Sequence, residues 1–279
     1  MIEMMRYLLR YQLKKGISKK NIWVFCFFVF LLGDLYLRPT RRLIALLGVM
    51  PRTTAFSLIW NNTFFLMLFY FNVILYFSDV PFDDAMKPFT LIRCGRTRYA
   101  LSHILYIICS GIGISGIFFA VQWMILPAPV FGEWGKFWGT MAQTNAGYQV
   151  GSGMKVPYHI LWEYTPAETL AITFVFSVLL NILTGLFLYF FSLWEQRIPG
   201  MCMAAVLAIL PHIVSWLNYT TFYWLSPYSW LCLDTTMRKY NGILPSLSYA
   251  VTALLLLNGL LLLGIWMRVC WKKDISGGV

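Results

Sequence analysis

The side chains that could perform chemistry in this sequence are few and lie far apart along the chain. The three histidines are His103, His159 and His212, and the six cysteines form no C-x-x-C pair. The sequence also lacks the phosphate-binding loop G-x-x-x-x-G-K-[ST], the zinc-protease motif H-E-x-x-H and the hydrolase motif G-x-S-x-G. Hydrolysis needs a nucleophile with a base, or a metal with several ligands. We therefore predict that the chain is not an enzyme and has no catalytic residues, no metal site and no cofactor of its own.

Two ionisable residues in apolar runs, His212 and Asp34, are candidates for function, because ionisable groups inside a membrane usually mark it, and His212 could act as a proton relay. His212 follows Pro211, and a kinked helix whose histidine faces its neighbours is the commoner arrangement. Asp34 is followed one helical turn later by Arg38. We expect Asp34 to reach water or to form an ion pair with this arginine.

A formal G-x-G-x-x-G motif is formed by Gly111, Gly113 and Gly116. A dinucleotide site requires a preceding strand and a following helix, whereas this motif lies within a long apolar run. Gly111 and Ser115 are instead one helical turn apart, which predicts a surface of small residues for close helix packing.

The composition is that of an integral membrane protein. Of the 279 residues, 59% are hydrophobic and only 12% are charged, against about 25% charged in soluble domains. The formal net charge of +11 comes mostly from residues between apolar runs. This position predicts lipid headgroups as the anionic partner and excludes nucleic acid.

Six apolar runs predict about six transmembrane helices in a single transmembrane domain, 1–279. The predicted spans are 22–37, 55–77, 101–126, 169–193, 201–217 and 247–267. The fourth has the clearest start, because Thr165, Pro166 and Glu168 form a capping box. The fold class is therefore all-α, with an N-terminal amphipathic interface helix and a short cytoplasmic helix as additional elements.

The N-terminal residues 1–20 predict an amphipathic helix on the inner leaflet. Its apolar residues recur at helical spacing, while Arg6, Arg10 and Lys14 occupy another face and would lie among headgroups. The alternative is a basic tail that only orients the first span.

The longest polar segment predicted to face the cytoplasm covers residues 78–100. Gly95 is placed to end a short amphipathic helix in the left-handed conformation. A short helix between two membrane helices, with an apolar face and charged flanks, is suited to docking into a groove on a partner protein. The predicted docking residues are Asp83, Asp84, Phe89, Leu91, Ile92, Arg93, Arg96 and Arg98. The alternative is an ordinary loop whose arginines only set the topology.

The charge distribution predicts that both termini are cytoplasmic. Most of the 22 lysines and arginines fall on this side of a six-span topology, as the positive-inside rule requires. Arg38, Arg41, Arg42 and Arg52 fall on the outer side and depart from the rule.

Two outer segments are rich in aromatic residues. The outer loop 127–168 contains too much glycine to bury a core of its own, and Trp134, Trp138 and Trp162 predict that it lies against the outer interface. Residues 218–245 begin with an apolar stretch too short to cross the bilayer. They are predicted to re-enter the membrane or to lie in its interface.

Together these features resemble the permease subunit of a bacterial ABC type-2 exporter. The resemblance covers nearly the full length and is architectural: a basic N-terminal helix, six spans, a tight turn after the fourth and a partly re-entrant segment before the sixth. Its one semi-specific motif follows the second span, where Asp83 and Asp84 precede a short helix and Gly95, Arg96 and Arg98 form an arginine turn.

The resemblance implies that residues 78–100 hold a coupling helix that docks on a separate ABC ATPase subunit, which would bind ATP and Mg. It also implies a second permease copy, identical or different, and a location in the bacterial cytoplasmic (inner) membrane. The implied activity is export of an amphipathic peptide, drug or lipid-linked compound.

A different class of function also fits the sequence. A non-transporting membrane sensor or immunity protein could bind its ligand through the outer aromatic segments 131–138 and 216–230. An associated ATPase would distinguish the transporter from the sensor.

Overall fold

The structure, a computed structural model, describes residues 2–18, 20–80, 87–130, 132–144, 154–236, 238 and 243–275. Within these residues every regular element is helical. The α-helices are α1 (Ile2–Ser18), α2 (Lys20–Leu47), α3 (Phe56–Ile59), α4 (Thr63–Phe77), α5 (Lys87–Cys94), α6 (Arg96–Ile125), α7 (Gly135–Gln143), α8 (Tyr158–Glu163), α9 (Pro166–Leu193), α10 (Arg197–Leu217) and α11 (Leu247–Ile275). Two 3₁₀ helices, Thr220–Leu225 and Pro227–Leu231, precede α11.

Five helices among the described residues are long and apolar enough to cross a membrane. These segments are Ile22–Leu47, Arg96–Ile125, Pro166–Leu193, Arg197–Leu217 and Leu247–Cys270. The chain is therefore a multi-pass, all-helical membrane protein, as predicted, although the number of long spans is five rather than six. Helix α9 is central, because it packs against α4, α6, α10 and α11.

The first membrane helix is longer than the predicted span 22–37. Instead of stopping near Leu37, helix α2 continues through Pro39 to Leu47, so Arg38, Arg41 and Arg42 lie on a helix and not in a loop. The helix ends at Gly48, which has φ +65° and donates its backbone N–H to the carbonyl of Ile44 at 2.9 Å. A glycine in the left-handed region is a stronger stop signal than a proline, which a membrane helix tolerates.

The predicted continuous span 55–77 is wrong. The backbone turns at Trp60 and Asn61, which separates the four-residue α3 from the 15-residue α4. The side chain of Asn62 accepts a hydrogen bond from the N–H of Phe65 at 3.0 Å and caps the start of α4. An asparagine at this position favours a new helix start over continuation of the previous helix.

The α3–α4 break is covered by the segment that follows α10. The Cys232 thiol donates to the carbonyl of Trp60 at 2.9 Å, and the N–H of Asp234 donates to the Asn61 side chain at 3.2 Å. All five residues of Pro227–Leu231 are buried. The non-helical backbone between α3 and α4 is thus enclosed by protein, which is the condition under which a membrane tolerates such backbone.

The remaining long helices begin close to the predicted residues. Helix α9 starts with the expected capping box: the N–H of Glu168 donates to Thr165 Oγ1 at 3.3 Å, and the N–H of Thr165 donates to Glu168 Oε2 at 3.0 Å. Helices α6 and α10 start at Arg96 and Arg197, several residues before the predicted spans 101–126 and 201–217. Each of these two helices therefore has an arginine as its first residue.

The packing surface predicted at Gly111 and Ser115 joins α6 to α9. A Cβ on Gly111 would lie 2.9 Å from a side-chain atom of Ile182, so only glycine permits this approach. The Ser115 hydroxyl lies 2.9 Å from that of Ser177 and also accepts from the Asn181 amide at 2.9 Å. Because the G-x-G-x-x-G motif lies inside continuous helix α6, it does not form a dinucleotide-binding turn.

The aromatic residues of the 127–168 loop and of the end of α10 differ in exposure. In α7, Phe137 and Trp138 are buried, and Trp138 Nε1 donates to the carbonyl of Thr53 at 3.2 Å. Trp162, in contrast, is 81% exposed, and Trp216 at the end of α10 is 82% exposed. The described part of the 127–168 loop thus packs on the helices through buried aromatic residues.

Candidate partner-docking site

The short helix predicted between the second and third spans is present as α5. It ends at Gly95, whose φ is +78° and whose N–H donates to the carbonyl of Leu91 at 2.9 Å. Helix α6 begins at the next residue, Arg96. Since only one residue separates them, a displacement of α5 would act directly on the first turn of α6. Asp83 and Asp84 lie outside the described residues.

Two large apolar side chains of α5 are exposed. Phe89 is 65% exposed and Ile92 is 82% exposed, and their i, i+3 spacing places them on one face of the helix. Arg93, Arg96 and Arg98 are exposed as well. The helix therefore presents an apolar pair flanked by arginines.

Leu91 differs from the other predicted docking residues, because it is half-buried and lines a cavity of about 290 Å³. This cavity lies between the start of α6 and the ends of α9 and α11. Arg96, Glu195 and Arg268 also line it. The Arg268 guanidinium stacks on the Trp194 ring at 4.1 Å from the ring centroid, an attractive geometry for a cation. Leu91 thus faces a cavity that the ends of two long helices also line.

Helix α1 is packed at the same end of the bundle as α5. Leu8 and Gln12 are buried, and the Gln12 amide nitrogen lies 3.3 Å from Nε2 of the buried His103 on α6. Arg6, Arg10 and Lys14 are exposed, as the sequence predicted. The sequence predicted an apolar stripe of Ile2, Met5, Leu9 and Leu13. The most buried of the described side chains are instead those of the neighbouring Leu8 and Gln12, while Leu9 and Leu13 are partly buried.

Acidic residues accompany three of the four arginines predicted on the outer side. Asp34 forms ion pairs with both Arg38 and Arg41, which confirms the first pair and adds the second. The Arg52 guanidinium lies 3.9 Å from the Glu133 carboxylate. Positive charge at this end of the bundle is therefore partly neutralised within the chain.

No protein family model, curated protein or solved structure matches this chain.

His212, the histidine of α10, contacts the first residues of α4. His212 Nδ1 lies 3.3 Å from the Thr63 hydroxyl, and its ring centroid is 5.5 Å from that of Phe64. It therefore joins α10 to the start of α4, in the manner expected of a histidine that faces its neighbours. Among the residues that the structure describes, no three His, Cys, Asp or Glu side chains form a group that could hold a metal ion.

Proposed function

We propose that this chain is the membrane-spanning permease subunit of an ATP-driven ABC type-2 exporter. In this proposal a separate ATPase subunit binds ATP and Mg and docks on α5. The working unit contains two permease chains, identical or different, and two ATPase subunits. It moves an amphipathic peptide, drug or lipid-linked compound out of the cytoplasm through the bacterial inner membrane.

The main support is the exposure of Phe89 and Ile92 on a helix that is held between α4 and α6. Exposed aromatic and aliphatic anchors flanked by arginines are typical of surfaces that fill a pocket on a partner protein. A loop whose arginines only set the topology does not require two large exposed apolar side chains on one face of a short helix.

The arrangement of the helices also supports a route for the power stroke. ATP would draw the partner ATPases together and displace α5. Leu91 would then press on the cavity at the ends of α9 and α11, while Gly95 would transmit the displacement to the first turn of α6. Because Gly111 locks α6 to α9, those two helices would move as one body and change the space beside α4 and α10.

The positive charge at the α5 end of the bundle supports a cytoplasmic position for α5 and for both termini. The exposed cations of α1 lie at this end, as do Arg96 and Arg268. Lysine and arginine are enriched on the cytoplasmic side of membrane proteins.

Association with an ATPase tests this proposal. The chain is purified in mild detergent from its native host, and the co-purifying protein with a phosphate-binding loop is quantified. In the double variant Phe89→Asp/Ile92→Asp, two apolar anchors are replaced by charges at exposed positions. Loss of an anchor costs roughly 2 kcal/mol, or about thirtyfold in affinity, so the ATPase should be lost.

The matched control is Ile198→Asp, because Ile198 is 75% exposed at the start of α10, at the same end of the bundle, but outside α5. Retention of the ATPase by this control and its loss from the double variant supports the proposal. Equal ATPase recovery from the wild-type chain and the double variant contradicts it.

A further inference from the structure

An apolar groove runs along one side of the bundle, away from α5. Its volume is about 690 Å³, and it lies between α9, α10, α11 and the 3₁₀ helices that precede α11. Phe187 and Phe190 of α9 and Leu207 of α10 form part of its wall. At its rim, Leu225 is 71% exposed and Leu256 is 67% exposed. The groove therefore opens sideways, towards the hydrocarbon of the bilayer.

The groove is long enough for an acyl chain. On α11 its lining extends from Tyr249 to Gly264 along one helical face, a distance of about 22 Å at 1.5 Å per residue. One leaflet of a bilayer supplies only about 15 Å of hydrocarbon thickness, half of the whole. A chain from one leaflet can thus lie entirely within the groove.

The end of the groove nearest α5 changes from apolar to basic. Gly264 permits the close approach of the Phe190 ring, since a Cβ there would lie 3.0 Å from it. One turn further along the same helices come Trp194 and Arg268, with the guanidinium stacked on the indole. Arg268 lies one helical turn beyond Gly264, the last residue of α11 that lines the groove, and its side chain lines the neighbouring cavity at the α5 end of the bundle.

We propose that this groove binds one phospholipid from the leaflet on the α5 side. One acyl chain fills the space between α9 and α11, and the phosphate is bound by Arg268. A planar guanidinium forms two parallel hydrogen bonds with phosphate oxygens. Arg96 and Glu195 line the same cavity as Arg268, so charged side chains stand at this end of the groove. This site does not depend on the proposed transport activity.

The groove is too small to hold a whole helix from a second copy of the chain. A transmembrane helix is at least about 10 Å wide, so a 22 Å length occupies about 1,700 Å³. The groove offers less than half of that volume. A neighbouring helix could therefore cover the groove but could not fill it.

Native mass spectrometry of the detergent-purified chain tests the proposal. The protein is delipidated and then titrated with dioleoyl phosphatidylglycerol or with dioleoylglycerol, which has the same chains but no phosphate. We expect one phosphatidylglycerol per chain and weaker binding of dioleoylglycerol. Arg268→Gln should weaken phosphatidylglycerol binding about tenfold, the value of one charge-assisted contact, and leave dioleoylglycerol unchanged. Arg268→Lys should restore part of the difference.

A second variant tests the acyl-chain site separately. Ala253→Trp places a bulky side chain in the groove and should reduce the binding of both lipids. Leu263→Trp is the matched control, because Leu263 is exposed on α11 and does not line the groove. Equal lipid binding by the wild-type chain and Ala253→Trp would overturn the proposal. So would a lipid-free dimer that Ala253→Trp converts to monomer, since a second copy would then cover the groove.

Discussion

The side chains of Gln12 and His103 meet inside the protein, with the Gln12 amide nitrogen 3.3 Å from Nε2 of His103. Both residues are buried. This contact fixes α1 against α6 at the end of the bundle where α5 also lies. Helix α1 is therefore a packed part of the helix bundle, with its cations directed outwards.

The packing of α1 can be tested with two neighbouring residues. Leu8→Asp places a charge where the side chain is only 2% exposed, whereas Tyr7→Asp changes a residue that is 71% exposed. Loss of leucine burial alone costs about 1.5–3 kcal/mol, so Leu8→Asp should release α1. Limited trypsin digestion should then cleave Leu8→Asp faster after Arg10 and Lys14. Equal cleavage of the two variants would show that α1 is not packed.

The contact between α6 and α9 predicts that substitution of one of two nearby glycines is destabilising and that substitution of the other is not. Gly111→Leu forces a side chain into Ile182, and overpacking of this kind costs typically about 1–3 kcal/mol. Gly113→Leu is the control, because nothing lies within 4 Å of a Cβ at that position. The melting temperature in detergent should fall for the first variant and stay near the wild-type value for the second. A similar fall in both would argue against this helix contact.

The cap of α4 predicts a smaller effect with a chemical rescue. Asn62→Ala removes the acceptor for the Phe65 N–H and should destabilise the protein by about 1 kcal/mol. Asn62→Asp keeps an acceptor and should retain most of the stability. Chemical denaturation in detergent measures the difference, and a continuous helix through this position would instead make Asn62→Ala neutral or stabilising.

The sidedness of α5 can be determined with Cys94, its last residue. A membrane-impermeant maleimide should label a variant whose sole cysteine is Cys94 in inside-out vesicles but not in intact cells. Labelling in intact cells would place α5 outside and contradict the transporter proposal. A variant that retains only Cys232 is the negative control, because burial raises the pKa of that thiol and the thiolate is the reactive form. It should stay unlabelled in both preparations, also at mildly alkaline pH.

Local signals in the sequence predicted several helix ends correctly. Thr165 and Glu168 mark the start of α9, and Gly95 marks the end of α5, because capping depends on residues close in sequence. The break before α4 also has a local signal, Asn62 followed by an apolar run. This signal was not used in the prediction of one continuous span, because the residues before and after the break are both apolar enough for a membrane helix.

Features formed by distant segments could not be predicted in this way. The burial of Gln12 depends on its meeting His103, and Leu91 lines a cavity only because α9 and α11 end beside it. The enclosure of Trp60 by Cys232 joins residues that are far apart in the chain. Hydrophobic periodicity identifies a face, but the partner that covers this face is determined by the packing of the whole bundle.

The short helix α4 has a further consequence for how the protein responds to its bilayer. Its 15 residues extend over only about 22 Å, less than the hydrocarbon thickness of about 30 Å. Many of its large side chains, among them Phe65, Phe69 and Phe77, are fully buried against other helices. Hydrophobic mismatch acts on segments in contact with lipid. A thicker or thinner bilayer will accordingly act more strongly on the less buried helices α10 and α11 than on α4, of which only part, including Phe64 and Leu75, is exposed.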